Sequence, residues 1–125
     1  MTTSPSFWIG TSWKMNKTLA EATAWAGGLA DAVAGRELAD VQPFVLPSFT
    51  AIADVARTLS AEPRVLVGAQ NAHWADAGPW TGEVSVPQVA DAGASVGATH
   101  DEILDRAAEA ASLTGAHERA RLLIN

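Results

Sequence analysis

Phe7-Trp8-Ile9-Gly10-Thr11-Ser12-Trp13-Lys14-Met15-Asn16 is the stretch on which the reading of this chain turns. A short apolar run closed by glycine, Phe7 to Gly10, reads as a buried strand. Thr18 follows soon after, with Glu21 three residues later. That pairing is a capping-box signature and predicts a helix start. Leu19, Ala22, Ala26, Leu29, Ala30 and Val33 then recur at helical spacing, and Gly35 is a stop. Strand, loop and amphipathic helix thus follow one another within the first 35 residues.

The same unit recurs. Val41 to Leu46 is a second apolar run, closed by Pro47. Thr50 is expected to cap a second helix with Ile52, Val55, Ala56 and Leu59 on its face, ended by Pro63. Arg64-Val65-Leu66-Val67-Gly68 is a third strand. Strands are expected near 7–12, 42–46 and 64–68, and helices near 18–34 and 50–60. Continuous apolar strands alternating with amphipathic helices predict an α/β fold with a parallel sheet and right-handed crossovers.

Ala69 to Glu83 reads as a long loop, of a length that is usually either functional or poorly ordered. Ser85 and Pro87 open a short helix through Asp91, and Gly93 stops it. From Ser95 the texture changes. Ser95 to Thr99 makes a poor strand, whereas Thr99 and Glu102 form another capping box, predicting a helix from about Asp101 to Ser112. Residues 1–125 are therefore read as one domain, with regular alternation over 1–94 and a mainly helical tail over 95–125. His117 to Ile124 is open to either a helix or a strand.

The composition narrows the function. The chain has 125 residues, 48% hydrophobic and 18% charged, with a formal net charge of -6. Such a balance supports a packed core and disfavours nucleic-acid binding. With no cysteine, disulfides, thiolate metal sites and a Cys nucleophile are excluded. No apolar run approaches the roughly 20 residues of a membrane span. No signal-peptide pattern opens the chain, so a cytoplasmic protein is the expectation.

Against that acidic background Lys14 stands out. A lysine at the C-terminal end of a parallel strand faces the mouth where α/β proteins bind ligands, and a fixed cation there would draw in an anion. A solvated surface lysine is the plain alternative for any lone residue of this kind. The surrounding string argues against that alternative. Trp13-Lys14-Met15-Asn16, Pro47-Ser48-Phe49-Thr50, Gly68-Ala69-Gln70-Asn71 and Trp80-Thr81-Gly82-Glu83-Val84-Ser85, in this order and spacing, resemble segments of triosephosphate isomerases. The resemblance runs from about Phe7 to Ala94. It implies a (β/α)8 barrel of about 250 residues, of which this chain carries about three βα units and the helical tail.

The resemblance also implies an activity, the interconversion of aldose and ketose phosphates such as dihydroxyacetone phosphate and glyceraldehyde 3-phosphate. In that family a Glu removes a proton beside the carbonyl and a neutral His polarises it. Lys14 matches the substrate-binding lysine. Ser12 stands where the family usually has Asn, also in the substrate-binding position. The strings Gly10 to Thr18 and Asn71-Ala72-His73-Trp74 look more like the branch that isomerises erythrulose phosphates, which is the alternative substrate.

His100, with Glu102 two residues on, has the spacing of the family's catalytic histidine. A cap-associated His100 and a second alignment through Gly115-Ala116-His117-Glu118-Arg119 remain open. No downstream Glu base or distal phosphate loops are found in the sequence, so a non-catalytic fragment that acts through another chain is a further alternative. On that count the 125-residue polypeptide alone is expected to turn over triose phosphates far more slowly than a whole barrel. Thr81 and Glu83 resemble positions on the loop that enters the neighbouring subunit, and Trp74 and Trp80 are large apolar groups on that loop suited to anchoring an interface; a homodimer or larger species is expected, with a loop folded back on its own barrel as the alternative. The expected partner is a small phosphorylated sugar, and no cofactor or metal is expected. His73 reads as a histidine packed within its loop.

Overall fold

The structure, a computed structural model, describes residues 5–95. Three parallel strands, β1 (Phe7–Ser12), β2 (Val41–Leu46) and β3 (Leu66–Val67), form one sheet in the order β1-β2-β3. Helices α1 (Leu19–Val33) and α2 (Ile52–Leu59) make the two crossovers, and α3 (Val86–Asp91) follows the long loop. β1 pairs with β2 from Phe7 opposite Val41 to Ser12 opposite Leu46. β2 meets β3 with Phe44 opposite Leu66 and Val45 opposite Val67. Parallel neighbours need such crossovers, because a tight turn can join only antiparallel strands. The expected partial barrel, an α/β array of successive βα units, is what the described residues form.

The core lies between the sheet and its helices. Val45 and Val67 from the sheet meet Ala22 and Ala26 of α1, Ile52, Val55 and Leu59 of α2, and Val89 of α3. Ala22 and Ala26 are fully buried, and their small side chains let the α1 backbone approach closely. Thr18 caps α1 as expected: its hydroxyl accepts from Glu21 N at 3.4 Å, while Glu21 Oε2 accepts from Thr18 N at 2.7 Å. The same reciprocal pair, Ser85 with Gln88, starts α3. Gly93 ends α3 at φ 111°, and a Cβ there would lie 2.6 Å from Ala56 Cβ on α2. Both the backbone angle and the close approach require glycine.

Three expectations are corrected. β1 is not buried: Phe7, Trp8 and Ile9 are 65%, 53% and 62% exposed. Among the described residues the strand has a neighbour on one side only, and none of its residues joins the buried core, so its apolar residues were legible as strand but their burial was not. Thr50 does not cap the second helix. It lies inside a 3-10 turn, Phe49–Ala51, closed by Ala51 N donating to Ser48 O at 2.9 Å, and α2 begins after it. β3 is shorter than 64–68, because Val65 N donates to Glu62 O at 3.1 Å and holds the entry in a turn. The segments Ser95–Thr99, Asp101–Ser112 and His117–Ile124 extend beyond or lie outside the described residues.

At the end of the sheet where the strands begin, Arg64 acts as a clasp. Its guanidinium donates to Arg36 O at 2.6 Å and to Val33 O at 3.1 Å. It also forms a two-pronged pair with Glu62 at 2.6 and 3.0 Å. α1 has no basic residue in its last turn; Arg36 just beyond it and Arg64 from the connection into β3 meet its terminal carbonyls, at Ala32 O and Val33 O. Gln42 Nε2 adds a 2.8 Å bond to Arg64 O.

Candidate functional site

The opposite end, where the strands finish, is built around Lys14. Trp13 leaves β1 and is buried, its N–H donating to Leu46 O at the end of β2 at 3.1 Å. Its indole stands edge-on to Trp25 of α1, with centroids 5.3 Å apart, and Lys17 Nζ lies 5.4 Å from its ring centroid. The first loop is thereby anchored by one residue, through its indole to the loop's own helix and through its backbone to the next strand.

Lys14 itself takes the left-handed backbone, φ 56°. For a residue with a Cβ this costs about 1–2 kcal/mol, and such strain persists where surroundings over-determine it. The restraints come from the next two loops. Lys14 O accepts from Ser48 Oγ at 3.2 Å and from Gln70 Nε2 at 3.0 Å. Gln70 Nε2 also donates to Leu46 O at 3.0 Å. Asn16 Nδ2 closes the loop on Trp13 O at 2.8 Å. Each neutral bond is worth about 1 kcal/mol net, so together they match the backbone strain. Ser48 and Gln70 were missed as site residues, although both lie in segments that carry the family resemblance. Nothing local marks them, because their partner is a backbone carbonyl 34 and 56 residues away.

The cations among the described residues divide by end. Arg36, Arg57 and Arg64 lie in or next to the connections that lead into strands, whereas Lys14 and Lys17 lie in the loop that leaves β1. An exposed ammonium at a strand mouth in an otherwise acidic chain is suited to an anionic group. Ser12 ends β1, and its hydroxyl oxygen is buried without a hydrogen-bond partner; the Trp13 indole nitrogen is buried likewise. His100 lies outside the described residues.

The long loop, residues 68–85, carries the remaining predicted positions. His73 is stacked against Trp74 with centroids 5.0 Å apart, and its ring is 4.8 Å from that of Trp80. Its N–H donates to Val84 O at 2.7 Å, and its Nδ1 accepts from Ala75 N at 3.0 Å. That acceptor places the proton of the neutral ring on Nε2. Trp74 and Trp80 are 65% and 45% exposed, and Thr81 and Glu83 are exposed beside them. The loop and α3 enclose an open cavity of 490 Å³, lined by His73, Trp80, Glu83, Gln88 and Asp91 among others. Among the described residues no group of three or more acidic or histidine side chains is placed to hold a metal, and no helix is long and apolar enough to cross a membrane.

Comparison with known proteins agrees with this geometry. The sequence model of the triosephosphate isomerase family matches residues 7–114. An L-erythrulose-1-phosphate isomerase of Mycolicibacterium smegmatis is 58% identical over 89 residues, which are 71% of this chain and 34% of that protein. One from Rhizobium rhizogenes is 61% identical over 85 residues, 68% of this chain and 32% of that protein. The chain thus spans about a third of the length of the relatives it matches. A crystal structure of triosephosphate isomerase from Bartonella henselae superposes with a TM-score of 0.52 at 26% identity, covering 70% of this chain and 35% of that one. On its strand-and-crossover order, its Lys14 loop and these matches, the chain belongs to the triosephosphate isomerase family.

Proposed function

We propose that this chain carries the lysine arm of an isomerase site whose substrate is L-erythrulose 1-phosphate. The observation that carries the reading is the Lys14 loop, strained at its backbone and tied to the segments that follow β2 and β3, which holds the backbone bearing the ammonium at the mouth of the sheet. The choice of a four-carbon substrate over a triose phosphate is supported by the names of the relatives at 58–61% identity. It also fits Ser12, a shorter side chain than the family's usual Asn. In this reading the Lys14 ammonium holds the anionic substrate and steadies the negative charge that develops on oxygen when the proton beside the carbonyl is removed. His100 would polarise that carbonyl, and a carboxylate supplied from elsewhere in the assembled barrel would take the proton.

A coupled isomerase assay on the intact protein, with its mass verified, tests this. L-erythrulose 1-phosphate should be turned over in preference to dihydroxyacetone phosphate, and Lys14→Ala should abolish turnover. Preference for the triose phosphate would return the reading to triosephosphate isomerase proper. Absence of turnover with both, alongside sugar-phosphate binding that needs Lys14, would favour a fragment that acts only with another chain.

We propose further that Trp74, Trp80, Thr81 and Glu83 meet a second copy of the chain. Two large exposed indoles on one loop are suited to anchoring an interface. Sedimentation should give a dimer or larger species that dissociates in Trp74→Ser/Trp80→Ser. A folded monomer at micromolar concentration contradicts this.

A further inference from the structure

Lysine has no intrinsic preference for the left-handed backbone, so the φ of 56° at Lys14 must be selected from outside. Two side chains reach its carbonyl, and they are not equivalent. Ser48 offers a single hydroxyl at 3.2 Å. Gln70 offers an amide whose Nε2 faces two carbonyl oxygens, Lys14 O and Leu46 O, each at 3.0 Å. Only the NH2 end of a carboxamide can face two acceptors, which fixes its orientation, and both of its hydrogens are then used. Leu46 O also accepts from Trp13 N. One amide from the third loop therefore ties together the end of β2 and the loop after β1.

We propose that Gln70 is a positioning residue: its Nε2, bridging Lys14 O and Leu46 O, selects the left-handed backbone of Lys14 and so sets the affinity of the Lys14 ammonium for a phosphorylated ligand. This rests on the reading of Lys14 as the group that holds the substrate anion. The chemistry predicts an ordering of substitutions. Gln70→Met fills the space without donors. Gln70→Glu keeps the shape but turns a carboxylate towards two carbonyl oxygens, so it should be no better than Met although it is closer in form.

The test uses the intact protein, isotopically labelled, in wild-type form and as Gln70→Met, Gln70→Glu and Lys14→Ala. The Cα and Cβ chemical shifts of Lys14 report its backbone, and calorimetric titration with L-erythrulose 1-phosphate and with inorganic phosphate reports affinity. Loss of the bridging bonds should weaken binding of both ligands by about 5-fold or more, with the Lys14 shifts leaving their left-handed values in both Gln70 variants. A purely structural role would lower the melting temperature and leave the affinity of the folded protein unchanged. Unchanged affinity, or left-handed Lys14 shifts retained in both variants, overturns the proposal. If either variant fails to fold, Gln70→Asn, which keeps the amide and shortens its reach, takes its place under the same criteria. Failure of the underlying reading looks different: wild-type protein would bind neither ligand, or Lys14→Ala would bind as well as wild type, while the Lys14 shifts still move in Gln70→Met. That result removes Gln70's role in ligand binding as well.

Discussion

Lys14 combines a charge suited to binding with a backbone suited to glycine. If its strain is held for the ammonium, removing the side chain should separate stability from binding. Lys14→Gly relieves a left-handed penalty of about 1–2 kcal/mol but adds chain entropy worth about 0.5–1 kcal/mol in the unfolded state. A net gain of about 0.5–1 kcal/mol in urea unfolding is expected, with sugar-phosphate binding lost. The place of Lys14 just past the end of a strand was legible in the sequence, because Trp13-Lys14-Met15-Asn16 directly follows an apolar run. The restraints on that cation were not. Ser48 and Gln70 act on a backbone carbonyl, and no spacing rule connects them to it. Ser12 was legible as a position, but the burial of its hydroxyl depends on neighbours from other elements.

Among the elements, the helices were the most readable, because their start signals are local. Thr18 with Glu21 and Ser85 with Gln88 satisfy backbone donors within one turn. Thr18→Ala should cost about 1 kcal/mol of stability, read as a lower urea midpoint. Gly93→Ala combines an unfavourable φ of 111° with a collision against Ala56 and should cost about 1–3 kcal/mol. α2 was misread at its start, because Thr50 resembles a cap but the first turn is closed by the backbone of Ser48 instead. Strand burial was the least readable property. An apolar run looks alike whether or not helices cover it: Val45 and Val67 lie in the core with residues of α1, α2 and α3, whereas Phe7, Trp8 and Ile9, on an edge strand of the described sheet as Val67 is, are exposed.

Across the whole molecule, ties distant in sequence hold the two ends of the sheet. At one end Arg64 joins α1, the turn after it and Glu62. Arg64→Met should therefore lower the melting temperature more than Arg57→Met, since the exposed Arg57–Asp54 pair joins residues of one helix only. Hydrogen bonds to carboxylates, local and distant, also make the fold acid-sensitive. Hydrogen bonds from Thr18 hold the Glu21 carboxyl below its ordinary value of 4.5, and Arg64 does the same for Glu62. Asp40 is held below 3.8 by Ser6. A lowered folded value means that stability is fully present above the ordinary carboxylate range and is lost as pH falls through the lowered values. Urea midpoints should be level from pH 7 down to about pH 5 and should fall below it.

In the proposed function the loop holding Lys14 presents a cation to a phosphorylated four-carbon sugar. Calorimetric titration of the intact protein with L-erythrulose 1-phosphate and dihydroxyacetone phosphate, repeated on Lys14→Ala, tests it most directly. The account predicts tighter binding of the four-carbon ligand and loss of that binding in the variant. Equal or tighter binding of the triose phosphate, or affinity for the four-carbon ligand that survives Lys14→Ala, would contradict it.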